Sequence, residues 1–204
     1  MRPDPIIYVV DDNDDHRDIL AQSMKKAGYE VKTYTSGVEF LRDGNLAEIG
    51  CLLLDNQMPN MTGLEVQSKL LELGSRLPII FISGGSGIPD VVAAVRDGAL
   101  DFLQKPFSLD ELRAKVDEAV DRCREDFDFN KRAQEYQVLL NRLTKRERQV
   151  YDLVIAGNTN QMITEKLAIK ISTVEFHRAN MMDKMGVTSF SELMEKAQVA
   201  SRSA

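Results

Sequence analysis

Over residues 6–120, short apolar runs alternate with longer segments in which apolar residues recur at helical spacing. The runs Ile6–Val10, Cys51–Leu54 and Pro78–Ile82 lack polar alternation, which is typical of strands buried on both faces. Weaker β-prone runs at Val31–Thr35 and Asp101–Leu103 predict a second and a fifth strand. Each strand is followed by a helical segment. Five strands alternating with five helices predict a doubly wound α/β domain, with parallel strands in the order 2-1-3-4-5.

The predicted helices of this domain are marked by their apolar spacing and by their ends. Gly28 and Gly98 close the first and the fourth helix, because glycine adopts the left-handed conformation that ends many helices. A serine with a glutamate three residues later opens the second helix at Ser36 and the fifth at Ser108. The fifth helix runs to at least Val120. The positions expected to face the core are Ile19, Leu20, Met24, Ala27, Leu64, Val66, Leu70, Leu71, Val91, Val92 and Val95.

Four shorter helical segments after residue 143 predict a second, all-α domain. Capping boxes open the first at Thr144, the third at Ser172 and the fourth at Ser189. The tight turn Ala168–Ile171 joins the second and third segments, and this pair is typical of a helix-turn-helix. A plain helical bundle is the alternative, because methionines at helical spacing usually lie in a core. The positions expected to be buried are Val150, Leu153, Val154, Ala156, Met162, Ile163, Leu167, Val174, Met181, Met182 and Met185.

The chain therefore divides into three predicted parts: a first domain at residues 1–122, a linker at 123–142 and a second domain at 143–204. The linker is dense in mixed charge, and Ala133, Tyr136, Leu140 and Leu143 recur at spacings that would continue or restart a helix. A charge run usually marks a solvated face, which is the interpretation we favour. A short coiled-coil dimer seam is the alternative.

Composition limits the possible partners. No apolar run approaches the about 20 residues of a membrane span, and the amino terminus lacks the apolar stretch of a signal peptide, so we expect a cytoplasmic protein without a membrane partner. The net charge of −6 is uneven: residues 1–122 hold 13 Lys and Arg against 21 Asp and Glu, whereas residues 123–204 hold 13 against 11. Any contact with a polyanion therefore falls to the second part. Cys51 and Cys123 form neither a disulfide framework nor a metal-binding spacing.

Polar residues able to carry chemistry stand at the ends of four predicted strands. Asp11 and Asp12 follow the first strand, Asp55 the third, Ser83 the fourth and Lys105 the fifth. In this strand order the carboxyl ends of strands 1, 3, 4 and 5 lie side by side, so these side chains are expected to meet. Three carboxylates would repel one another unless a divalent cation lay among them, and all-oxygen ligands suit Mg²⁺. The set predicts a pocket for a transferred phosphoryl group, with Asp55 as the nucleophile.

In their order along the chain, these residues resemble the receiver domain of two-component response regulators. The matching stretches are Val9-Val10-Asp11-Asp12, Leu54-Asp55 through Met58-Pro59 to Gly63, Ser83-Gly84, and Asp101-Phe102-Leu103-Gln104-Lys105-Pro106-Phe107. The resemblance implies that Asp55 accepts phosphate from a histidine kinase, with Lys105 as a positive charge opposite. The small Gly84 would leave the phosphoryl site open.

The same resemblance implies a metal site and a switch. The implied ligands of Mg²⁺ are Asp11, Asp12, Asp55 and the backbone carbonyl of Gln57. In the switch, the Ser83 hydroxyl turns toward the phosphoryl group and the ring of Phe102 moves inward behind it. The phosphorylated receiver is then expected to dimerise through the face around its fourth helix and fifth strand.

The second domain resembles the LuxR-type helix-turn-helix, most closely as it is joined to receivers in the FixJ subfamily. The resemblance rests on Leu143-Thr144, Arg146-Glu147, Gly157, Asn160, Ile163, Leu167, Thr173-Val174-Glu175, His177-Arg178-Ala179-Asn180 and Lys184-Met185. It implies two sets of DNA-binding residues, namely Glu175, Phe176 and Ala179 toward the major groove and Thr173, Arg178 and Asn180 toward phosphates. His177 is expected to pack and hydrogen-bond rather than to ligate a metal.

Three positions depart from the family pattern. The family usually has Ser at the position of Lys170, Arg or Lys at that of Ser172, and Lys at that of Gln161. Fewer cations release fewer counterions, which predicts weaker and less salt-sensitive DNA binding for each protomer. Dimerisation would have to compensate.

The sequence therefore predicts a phosphorylation-controlled transcriptional regulator rather than an enzyme. Its expected partners are a histidine kinase, promoter DNA, a second copy of the chain after phosphorylation, and RNA polymerase. One rival is a phosphatase or phosphotransferase with an aspartyl intermediate, but the segment Asp11–Asp15 lacks the Thr of its D-x-D-x-T pattern. A second rival keeps the helix-turn-helix but makes the receiver a docking module that works unphosphorylated.

Overall fold

The computed structural model describes residues 4–46, 48–84 and 101–201, without side chains for the last three of these. The chain forms two compact units, Met1–Asp126 and Phe127–Ala204. The predicted fourth helix, with Val91, Val92 and Val95 and its end at Gly98, lies outside the described residues.

The first unit is built on a five-stranded sheet. Its strands are β1 Ile6–Val10, β2 Glu30–Tyr34, β3 Gly50–Asp55, β4 Ile79–Ser83 and β5 Asp101–Gln104. They pair in parallel in the order β2-β1-β3-β4-β5, which confirms the predicted topology. Every residue of β1, β3 and β4 is buried, as the continuous apolar runs predicted.

Successive residues of the central strands enter two different cores. Tyr8, Leu52 and Phe81 belong to the cluster on one face, and their neighbours Val9 and Leu53 to the cluster on the other. This alternation is the period of two that a pleated strand imposes. Because both faces are covered, the polar ends of the strands are left as the places where chemistry can occur.

The described helices are labelled here in chain order. Those of the first unit are α1 Asp14–Lys26, α2 Gly37–Asp43 and α3 Gly63–Glu72, and the helix α4 Leu109–Asn141 continues into the second unit. Ser108 accepts the hydrogen bond from Glu111 N at 3.1 Å, as predicted. Ser36 Oγ likewise accepts a hydrogen bond from Glu39 N. The Glu39 carboxylate, however, accepts from Thr35 N and Thr35 Oγ1 and not from Ser36 N, so the predicted capping box is only half formed.

Helix α4 runs through the predicted linker as far as Asn141. Residues 127–141 belong to the second unit, and Ala133, Tyr136 and Leu140 are buried there. The charge run is exposed or half-buried, as the solvated interpretation predicted, whereas these three apolar positions lie in a core that was not predicted. Their spacing of three and four residues places them on one face of the helix, and that face packs in a core while the charged residues remain outside.

The second unit continues with four short helices, α5 Lys145–Ile155, α6 Asn160–Leu167, α7 Ile171–Met185 and α8 Phe190–Ser201. Thr144 and Glu147 form the predicted capping box, and Ser189 accepts from Glu192 N at 3.2 Å. The core contains Val150, Val154, Ile163, Val174, Met181, Met185 and Leu193, together with Tyr136 and Leu140 of α4.

The predicted start of α7 at Ser172 is wrong. The N-cap is Lys170, whose side chain makes no capping hydrogen bond, and Ser172 lies inside the first turn. The left-handed conformation of Ala168 (φ 51°) ends α6 and turns the chain sharply, so α7 begins as soon as the turn is complete.

Four apolar residues expected in a core are exposed: Ile19 (57%), Leu71 (51%), Met162 (44%) and Ala156. The first three directly follow or precede a position that does face the core, so one residue of rotation on the helix, about 100°, places them outside the buried stripe. Ala156 is the C-cap of α5, where the helix ends. Within the described residues, no helix combines the length and apolar character needed to cross a bilayer.

Candidate functional site

The ends of three strands meet around one ammonium group. Asp11 follows β1, Asp55 ends β3, and Lys105 follows β5. The Lys105 Nζ lies 3.4 Å from Asp11 Oδ2 and 3.2 Å from Asp55 Oδ1. Both carboxylates are buried, with Asp11 2% and Asp55 7% exposed. The structure thus brings together three of the residues that were predicted to meet at this edge of the sheet.

Backbone groups fix the two carboxylates in place. Asp11 Oδ1 accepts a hydrogen bond from Asn13 N at 2.9 Å, and Asp55 Oδ2 accepts one from Gln57 N at 2.6 Å. The Lys105 backbone N donates to Ser83 O at 2.8 Å, which ties the lysine to the end of β4. Each functional side chain is therefore positioned by the strand that precedes it and by the first turn of the loop that follows.

The pocket carries more negative than positive charge. Burial raises the pKa of the Asp55 carboxyl, and the nearby Asp11 adds to this, whereas Lys105 and the hydrogen bond from Gln57 N oppose it. One ammonium faces two buried carboxylates. An arriving phosphoryl group brings further negative charge, so a phosphoryl acceptor of this form needs an additional cation.

The donor set fits a hard divalent cation in its chemistry. Asp11 and Asp55 supply buried carboxylate oxygens, and the carbonyl of Gln57 belongs to the loop directly after Asp55. Asp12 is exposed. In the part of the chain that the structure describes, no three carboxylate, imidazole or thiol groups are arranged to hold a metal ion. Of the three carboxylates predicted to lie together, Asp11 and Asp55 both contact Lys105, whereas Asp12 is exposed.

Gly63 allows the loop after β3 to pack against the end of that strand. A Cβ at this position would lie 2.7 Å from Asp55 O and 2.9 Å from the Phe81 ring, both closer than real Cβ contacts. Its backbone N donates to Asn56 O at 3.1 Å. The loop that carries Gln57 is therefore folded back on Asp55 because residue 63 has no side chain.

The predicted switch residues lie on adjacent strands. Ser83 ends β4 and is buried, and Phe102 on β5 pairs in register with Phe81. The Phe102 ring is half-buried against the core cluster that contains Tyr8 and Phe81. A Cβ at Gly84 would lie 3.9 Å from Lys105 Cδ, which is an ordinary van der Waals contact.

Two residues at this site were missed by sequence reasoning. His16 Nδ1 lies 3.1 Å from Lys105 Nζ and 3.9 Å from Asp11 Oδ2. Arg17 donates to Asp11 O at 2.9 Å. Both lie on the first turn of α1, one turn beyond the N-cap Asn13. Their place on the first helix after β1 was the one sequence feature they share, and it does not indicate the contact with Lys105.

Helix α7 presents half of the predicted DNA-binding residues to solvent. Glu175, Phe176 and Ala179 are exposed, and Phe176 is 62% exposed. Thr173 and Asn180 are half-buried on its flanks. His177 is half-buried, and the centroid of its ring lies 5.6 Å from that of the Phe176 ring in an edge-on arrangement, in agreement with the expected packing role.

The cations of α7 are held by the neighbouring helices. Arg178 donates to Asn160 Oδ1 of α6 at 2.8 Å, and Lys184 donates to Glu147 Oε2 of α5 at 2.6 Å. Glu147 is buried: burial raises the pKa of its carboxyl, but the hydrogen bonds from Lys184 and Thr144 outweigh this and the net pKa is lowered. The buried ion pair was not predicted, although Glu147 was recognised as a capping residue.

Comparison with known proteins assigns both units. The chain matches the family described as "Response regulator receiver domain" over residues 7–117, and the one described as "Bacterial regulatory proteins, luxR family" over residues 141–197. The response regulator protein TmoT of Ectopseudomonas mendocina is 39% identical over 189 residues, which cover 93% of this chain and 86% of TmoT. The transcriptional regulatory protein FixJ of Bradyrhizobium diazoefficiens is 34% identical, covering 95% of each chain. The solved structure of the response regulator StyR superposes with a TM-score of 0.85 at 34% identity, covering 96% of this chain and 99% of StyR.

Proposed function

Because the chain belongs to the two-component response regulators that join a receiver domain to a LuxR-type DNA-binding domain, we propose that phosphorylation of Asp55 controls its binding to promoter DNA. The family consists of regulators of transcription, which argues against the phosphatase alternative. The observation that carries the proposal is the pairing of Lys105 with both Asp11 and Asp55 at the ends of β1 and β3.

In the proposed reaction, Asp55 is the nucleophile. One of its carboxylate oxygens forms the new bond to phosphorus, while the phosphorus–nitrogen bond to the histidine of a kinase breaks and the imidazole leaves. Lys105 Nζ lies 3.2 Å from Asp55 Oδ1, and in the product it would donate hydrogen bonds to the negatively charged phosphoryl oxygens. A Mg²⁺ ion held by Asp11, Asp12, Asp55 and the Gln57 carbonyl would neutralise the remaining charge.

The acyl phosphate would then act on the neighbouring strands. Ser83 ends β4, the strand next to β3, and Phe102 lies on the adjoining β5, in register with Phe81. We propose that Ser83 binds the phosphoryl oxygens, that Phe102 moves deeper into its core, and that the altered surface forms a homodimer. The part of that surface contributed by the predicted fourth helix lies outside the described residues.

The proposed output is binding of promoter DNA in the cytoplasm by α6 and α7. Two copies of α7 in a dimer would occupy adjacent half-sites, with Glu175, Phe176 and Ala179 toward bases and the flanking Thr173, Arg178 and Asn180 toward phosphates. RNA polymerase is a further proposed partner, since a regulator bound at a promoter acts beside it.

Arg178→Ala is expected to weaken binding to all DNA sequences by a similar factor. The substitution removes a positive charge at the phosphate-facing edge of α7 and the hydrogen bond to Asn160 that joins α7 to α6. A fluorescence-anisotropy titration at several salt concentrations should show the slope of log K against log salt reduced by about 1.

Arg124→Ala is the matched control, because Arg124 pairs with Asp121 within the first unit and its loss changes the net charge equally. If the two variants lost DNA affinity equally, or if Arg178→Ala kept the wild-type salt slope, Arg178 would have no role at the phosphates.

A further inference from the structure

We infer that α7 reads thymine methyl groups and the exocyclic amino groups of cytosine or adenine in the major groove, and that it does not read guanine. This inference rests on the proposed function, in which α7 enters the groove. Two observations support it: the kinds of side chain on the exposed face of α7, and the hydrogen bonds that tie the basic residues of α7 to neighbouring helices.

The outer face of α7 follows from its buried one. Val174, Met181 and Met185 are buried, so the opposite side of a helix with 3.6 residues per turn carries Ser172, Phe176, Ala179 and Asp183, all exposed. Glu175 adjoins this side and is also exposed. The face thus combines one large apolar ring, one methyl group, one hydroxyl and two carboxylates.

This face presents no cation within the described helix. Arg178 is directed to Asn160 and Lys184 to the buried Glu147, so both basic residues of α7 are bound to the unit's own helices. Lys170 is the N-cap and precedes the helix, and its position four residues before the buried Val174 places it on the side of α7 away from the outer face. Lys166 of α6, the next cation along the chain, donates to Asn158 Oδ1 at 2.7 Å.

The chemistry of the major groove then decides which bases fit. Guanine presents two acceptors, O6 and N7, and is read by the paired donors of Arg or Lys. The carboxylates of Glu175 and Asp183 can only accept hydrogen bonds, so these two electron-rich acceptors of guanine would repel them. Cytosine N4 and adenine N6 are donors that a carboxylate accepts, and the C5 methyl group of thymine is the groove's apolar contact.

Phe176 is the residue assigned to the thymine methyl, and Glu175 to an amino group at a neighbouring base pair. The Phe176 ring is 62% exposed in the free protein, so covering it with a methyl group removes apolar surface from water and favours binding. Ala179, one turn along the same face, allows the backbone of α7 to approach the groove closely.

The test selects binding sites from random DNA with the full-length protein in the presence of acetyl phosphate and Mg²⁺. The enriched site is expected to contain thymine at a position whose preference disappears in Phe176→Ala, and cytosine or adenine at one whose preference relaxes in Glu175→Gln. Phe190→Ala, which removes an exposed aromatic ring on α8 instead, should leave both preferences intact.

Replacing that thymine by deoxyuridine removes only the methyl group. Wild-type affinity should fall about fourfold, as expected for one buried methyl, and the affinity of Phe176→Ala should not change. A site whose Phe176-dependent position is guanine, or wild-type binding that is indifferent to deoxyuridine throughout the site, would overturn the inference while leaving sequence-specific DNA binding in place. Absence of any enriched site would overturn the proposed function together with it.

Discussion

Asp55→Asn is expected to abolish the incorporation of phosphate from acetyl phosphate in the presence of Mg²⁺. The substitution preserves the size of a buried side chain that accepts from Gln57 N and lies 3.2 Å from Lys105 Nζ. It removes the negative oxygen that would attack phosphorus, and an amide does not replace a carboxylate as a nucleophile. Labelling should therefore fall below detection, although the fold is retained.

The measurement is radiolabelling or intact mass after incubation with the phosphodonor. Asp43→Asn is the matched control, because it makes the same chemical change in an exposed carboxylate of α2 that pairs with Arg42. Labelling of Asp43→Asn at the wild-type level is expected. Labelling of Asp55→Asn at that level would remove Asp55 from the role of acceptor.

Leu140→Ala is expected to destabilise the second unit strongly. Leu140 is 4% exposed and packs in the core that contains Val150, Ile163 and Met181. Truncating a buried leucine to alanine leaves a cavity and typically lowers the free energy of unfolding by about 2–5 kcal/mol. Tyr136, also on α4, is hydrogen-bonded through its hydroxyl to the Tyr151 hydroxyl of α5 at 2.9 Å, so a second residue of α4 holds this core together.

Hydrogen–deuterium exchange of the full-length protein measures this effect in place. Amides of α5 and α7 should lose protection in Leu140→Ala, whereas Val138→Ala should change stability by less than about 0.5 kcal/mol, because Val138 is 52% exposed on the same helix. Equal protection in the two variants would mean that residues 127–141 act as the solvated linker predicted from the charge run.

The strands and the placement of Asp55 at the edge of the sheet could be predicted because their signals are local. Continuous apolar runs without alternation identify strands covered on both faces, and a carboxylate directly after such a run must lie at the carboxyl edge of the sheet. Asp55 was singled out as a reactive group by the polar residues at the ends of three other strands, and the structure places two of these, Asp11 and Lys105, beside it.

What the sequence did not reveal depends on contacts between distant segments. The burial of Leu140 could not be inferred from a mixed-charge segment until its partners on α5 to α7 were known. Ser172 offered a good capping box, but the left-handed Ala168 determines where α7 begins. His16 approaches Lys105 across 89 positions of sequence, and no local pattern indicates that pair.

The most direct test of the central claim is the affinity for DNA of the wild-type protein and of Asp55→Asn, each with and without acetyl phosphate and Mg²⁺. The DNA is the site enriched by the wild-type protein. Phosphodonor should raise wild-type affinity by about 5- to 150-fold, the usual range of coupling between two sites, and should leave Asp55→Asn unchanged. Equal wild-type affinity in both conditions would contradict the account, and would instead support a receiver that acts as an unphosphorylated docking module.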